Sequence, residues 1–186
     1  MNQAQDGPDP SPFIGRLSAP DAFRREAAAW SLGEIGSPRA ARPLAGLFLR
    51  EILSVEQSGY LANTAVVSAV TEAIRRLGAV EALYALMKGL RVLSHAKGVD
   101  VETVEEIVDT IAEVGGPNAV REATDKIIKS ARECTQPMCP GLEVVASVLL
   151  LRASLCGDAA LKTLDRVAHG GPAPLRRVAQ RVLAGL

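Results

Sequence analysis

The sequence predicts an all-α chain, a short solenoid of about four helix pairs closed by a terminal helix. Amphipathic helices end at glycines 36, 78, 115 and 157, and each glycine opens another helix. The gaps of 42, 37 and 42 residues lie near the roughly 40–47-residue period of two-helix repeats. Composition agrees, with 48% hydrophobic but only 3% aromatic residues. A core rich in Ala, Leu and Val and poor in rings suits close helix–helix contact better than a sandwich or barrel. The last segment, PLRRVAQRVLAG, also echoes AFRREAAAWSLG near the start. A non-repetitive helical bundle is the alternative to a repeat array.

The elements follow in order. Residues 1–17 read as a flexible or loosely draped lead-in, because Pro8, Pro10 and Pro12 oppose a helix and few apolar groups offset the ordering entropy. Phe13 and Ile14 are the side chains able to tuck onto the first repeat, and residues 18–186 form the repeat domain. The first pair is expected at 21–35 and from 38 to about 53. Phe23, Ala27, Trp30 and Ile35, with Ala28 and Leu32 alongside, mark the core stripe of its first helix, and Arg24, Arg25, Glu26 and Glu34 the solvent side. Gly36 ends that helix, Ser37 is placed to cap the next, and Pro38 stands where its missing N–H costs nothing. Pro43 predicts a kink or an irregular start.

The second pair is expected at about 60–77 and 79–94, and the third at about 101–114 and 117–133, across Gly115-Gly116-Pro117. The fourth is expected at about 142–156 and 158–169. A terminal helix runs from 174 to about 184 and reads as half of a fifth unit. The first helix of the fourth unit, LEVVASVLLLRASL, is apolar almost all round. Such a helix is normally enclosed, here by the terminal helix or by a second subunit.

The motif in residues 24–44 carries a family resemblance. Arg24-Arg25-x-Ala27-Ala28-x-x-x-Leu32-Gly33-x-Ile35-Gly36-x-Pro38-x-Ala40, with Pro43-Leu44 beyond, resembles the HEAT-like repeats of phycobilin lyases and of many bacterial scaffold proteins. The resemblance implies a HEAT/armadillo-like α-solenoid with first (A) helices outward and second (B) helices on the concave face. It also implies a helical Pro43, since the resembled repeats carry proline there. It names no partner, because such repeats serve many.

Charge narrows the function classes. Lys+Arg and Asp+Glu are equal at 21 each, so no global field draws nucleic acid or an anionic membrane. Counted by helix, the B helices carry an excess of cations and the A helices an excess of acids, most densely over 100–113. Part of that acidity has a structural reason, because Asp100, Glu102 and Glu105 stand at a helix N-terminus. A mildly basic B face favours an acidic protein segment, with Arg42, Lys88, Arg91, Lys126 and Lys129 as the candidate contacts.

Chemical activity finds little footing. Cys134 and Cys139 alone make no structural zinc site, and Cys156 reads as a small core residue. His95 and His169 fall at helix C-termini, where a cation is favoured for structural reasons. There is no phosphate loop, dinucleotide fingerprint or nucleophile elbow. HEAT-like arrays include phycobilin lyases and an alkylpurine DNA glycosylase. The second needs aromatic residues around a base and a strongly basic groove, whereas the one tryptophan, Trp30, falls on the core stripe.

The resulting expectation is a non-catalytic protein-interaction scaffold without metal or cofactor, bacterial in composition and cytoplasmic. It has no membrane span and no signal peptide at its polar, proline-rich N-terminus. Nucleic-acid binding and a phycobilin-lyase-like activity are the alternatives, and a homodimer through the fourth unit is a further possibility.

Overall fold

The computed structural model describes residues 8–133, 140–155 and 158–185. Cys134, Cys139, Cys156 and Gly157 lie outside the described residues. Among the described residues the chain is all-α, without strands beyond one isolated bridge between Tyr60 and Gly98.

Residues expected to hold no helix form α1 (Ser11–Arg16). Pro10 and Pro12 stand at its cap and first turn, where a missing N–H removes no helical bond. Leu17 is buried, and Phe13 and Ile14 pack on the core as anticipated.

Helix α2 (Ala22–Ile35) is capped by Asp21, whose carboxylate accepts from the Phe23 N–H at 3.1 Å. It ends at Gly36, left-handed at φ 69°. Its core stripe is rotated from the expected one. Arg25, Ala28, Ala29, Leu32 and Gly33 are buried, while Phe23 is 74% and Trp30 39% exposed. The reason is close backbone packing. A Cβ at Gly33 would lie 3.1 Å from the Ala73 Cα, so α2 meets its neighbour through its small residues, and the rings are displaced to the edge.

A 3₁₀ turn (Pro38–Ala40) leads into α3 (Ala41–Ser58). Ser37 makes no side-chain cap; the Ala40 N–H instead reaches the Ser37 carbonyl at 3.0 Å. Pro43 falls in the first turn of α3, so the irregular start is present and no helical bond is lost. α3 runs on to a left-handed Gly59 (φ 78°), past its expected end.

Next come α4 (Thr64–Leu77), closed by Gly78 at φ 57°, a second 3₁₀ turn (Val80–Ala82) and α5 (Leu83–Leu93). Helix α6 (Val101–Glu133) contains one non-helical residue, Gly116 at φ 67°, which divides it into two arms. The expected break at 115 is thus carried by its neighbour. Gly115 is instead a tight contact, since a Cβ there would lie 2.9 Å from a Leu83 methyl. The chain ends with α7 (Pro140–Ser154), α8 (Asp158–Gly170) and α9 (Ala173–Ala184).

The helices fall into two rows. In the A row α2 packs on α4, α4 on the first arm of α6, α6 on α7, and α7 on α9. In the B row α3 packs on α5, and α5 on the second arm of α6. One core runs through both rows, from Leu32, Phe48 and Ile74 to Leu90, Ile107 and Leu149. The apolar α7 is enclosed within the chain by α5, α6, α8 and α9, although Leu151 remains 52% exposed.

Candidate functional site: a basic groove on the B row

Four of the five candidate contacts come together. Tyr84, Met87, Lys88 and Arg91 of α5 and Lys126, Lys129 and Ser130 of α6 line a groove of about 420 Å3. The α5 residues are spaced i, i+3, i+4, i+7 and the α6 residues i, i+3, i+4, so each wall is one helix face. Arg42 is not among the lining residues; it lies in the first turn of α3, one helix away. Tyr84, Met87 and Ser130 escaped the reading from charge alone. Their helical spacing to Lys88, Arg91 and Lys126 was the available signal.

The cations differ in state. Lys126 donates to Glu122 at 2.7 Å and rests 3.5 Å from the Met87 sulfur. Lys88, Arg91 and Lys129 have no acid within ion-pair reach among the described residues. Ser130 is buried in the groove wall and bonded to His95 Nε2 at 3.0 Å. No third group among the described residues orients that imidazole, as activation of a hydroxyl nucleophile would require. His169 meets Asp165 of its own helix at 3.2 Å.

The A row uses its cations differently. Arg76 reaches Glu34 of α2 and, at 2.7 Å, Glu72 of its own helix. Arg75 joins Glu72 at 2.6 Å to Glu113 of α6 at 3.1 Å. Arg152 of α7 pairs with Asp109 of α6 at 3.1 Å, and Arg181 of α9 with Glu143 of α7. Every A-row junction therefore carries an arginine–carboxylate pair, with partners about one repeat apart in sequence. Burial pushes the Glu72 carboxyl up, but hydrogen bonds from Arg76 and Arg75 outweigh it and hold it below its ordinary value. The acidic stretch of α6 is thus largely structural. Asp109 and Glu113 are paired across helices, Glu106 accepts from Ser68 at 3.0 Å, and Asp100 accepts from the Thr103 N–H at 3.0 Å. That backbone bond holds Asp100 below the usual carboxylate range.

Among the described residues no cluster of three or more His, Cys, Asp or Glu is arranged to hold a metal ion, and no helix is long and apolar enough to cross a membrane.

The fold and its paired rows define a class, the helical repeat proteins. Residues 24–49 match the family model described as PBS lyase HEAT-like repeat. That stretch, most of α2, the 3₁₀ turn and the start of α3, is similar to a HEAT-like repeat. No curated protein matches the sequence. Among solved structures, an engineered protein of the Northeast Structural Genomics Consortium is similar over 99% of this chain and 96% of its own, at 16% identity and a TM-score of 0.31. A likeness at that level adds nothing to the fold described above.

Proposed function

We propose that the chain is a non-catalytic adaptor that holds an acidic segment of another protein in the groove between α5 and the second arm of α6. One observation carries the reading: among the described residues Lys88, Arg91 and Lys129 line a common groove without an acid in ion-pair reach, whereas the A-row arginines at the helix junctions are paired. Unpaired cations in a depression offer charge complementarity to a partner without first breaking an internal ion pair. The repeat scaffold supports the reading by holding two helix faces in fixed register. On composition alone we place this adaptor in a bacterial cytoplasm.

The test is recovery of native complexes from the source cells by wild type, by a Lys88→Glu, Arg91→Glu, Lys129→Glu variant, and by Arg42→Glu. The groove variant is expected to lose a specific protein partner while retaining its helical circular dichroism, and Arg42→Glu is expected to keep it. A partner retained by the groove variant overturns the proposal, as does recovery of nucleic acid in place of protein.

A further inference from the structure

The groove is not uniform along its length, and that constrains what fits it. Tyr84 stands at one end, near the start of α5, and is 69% exposed. Met87 follows one turn on but is buried, with Lys126, itself paired to Glu122, 3.5 Å from its sulfur. This end therefore offers an exposed ring beside an ion pair. Lys88 follows one turn beyond Tyr84, and the other end carries Arg91, Lys129 and Ser130. Among the described residues none of the three cations Lys88, Arg91 and Lys129 has an acid within ion-pair reach. From Tyr84 to Arg91 is two helical turns, about 10 Å along the axis.

Resting on the reading just given, we propose that the groove recognises a mixed segment, with one large apolar side chain followed within a turn or two by a cluster of carboxylates. The apolar side chain lies against the exposed Tyr84 ring, whose face favours aromatic or aliphatic contact. The carboxylates meet the Arg91 fork and the ammonium groups of Lys88 and Lys129. Neither half suffices. A purely acidic segment leaves the apolar end wet, and a purely apolar one leaves three cations unmatched. Charge sets encounter and register, and the apolar contact sets dissociation.

The experiment uses three labelled peptides and fluorescence anisotropy on the full chain. The first carries one phenylalanine followed by three glutamates, the second replaces the phenylalanine with serine, and the third reverses the order. The first is expected to bind about tenfold more tightly than the other two. Tyr84→Ser changes an exposed side chain, so the fold is retained, and it should bring the three peptides level. Arg91→Glu with Lys129→Glu should abolish binding of all three.

Equal binding of all three peptides by wild type, lost in Arg91→Glu with Lys129→Glu, overturns the polarised groove and leaves the acidic-segment adaptor standing. Failure of every acidic peptide to bind overturns both. Preference for a single-stranded oligonucleotide of equal charge over the first peptide also overturns the proposal.

Discussion

The Arg25 guanidinium lies 2.8 Å from the Glu51 carboxylate, with both side chains more than nine-tenths buried. The pair ties α2 to α3 and gathers the surrounding chain. Arg25 also donates to the carbonyls of Ala19 and Pro20, at 3.0 and 2.8 Å, and Asn63 donates to Glu51 at 2.8 Å. Removing one member leaves a buried charge without its partner. Glu51→Ala should therefore destabilise the chain by about 3–5 kcal/mol in urea denaturation. Replacing both residues together by methionine and leucine should be close to neutral, because the desolvation cost vanishes with the pair. A double replacement as harmful as the single one would show that the network is needed for more than charge balance.

The A-row ladder should make the fold acid-sensitive through Glu72. Its native pKa is lowered from an ordinary value of 4.5. The group therefore contributes stability that is fully present above that ordinary value and is lost as the pH falls through the lowered native one. Wild type should exceed Glu72→Gln in stability at neutral pH. The gap should close as the pH falls below about 4.5. Denaturation midpoints measured across that range check it, and a gap independent of pH would mean the carboxylate is not the source.

Two glycines should respond oppositely to alanine. Gly141 sits where α7 begins against the end of α5, with its N–H donating to the Ala96 carbonyl at 3.2 Å. A Cβ there would overlap the Leu93 carbonyl oxygen and stand 3.0 Å from that of Ala96. Backbone atoms cannot swing aside, so Gly141→Ala should cost about 1–3 kcal/mol. Gly46 is exposed within α3, and a Cβ would meet nothing within 4 Å. Gly46→Ala should stabilise by about 0.5–1 kcal/mol. Thermal melts of the two variants separate packing from helix propensity.

How far these features were legible follows from what a pattern can weigh. Gly36 and Gly78 were legible because a left-handed residue after an amphipathic run has few substitutes. The four groove cations were legible because charges on one helical face keep their spacing after folding. The face of α2 was not. Counting apolar residues gives Phe23 and Trp30 more weight than Ala29 and Gly33, yet the contact with α4 selects for smallness. Nor does hydropathy reveal that Arg25 has a buried acid 26 residues away. The A-row acids read as a free surface because their arginine partners lie a full repeat along the chain, beyond any local window.

The contrast between the two rows reaches further than any single partner. The chain has a formal net charge of zero and a sequence pI near 6.7, yet its charges are not equally available. The junction arginines on one side are engaged with carboxylates, while Arg91 and Lys129 on the other stand open to solvent. An ion-exchange column responds to patches rather than totals, so at low salt the protein should be held by a sulfonated resin near its isoelectric point. Arg91→Glu with Lys129→Glu should pass straight through. A protein that is neutral on paper would then migrate in chromatography as a base.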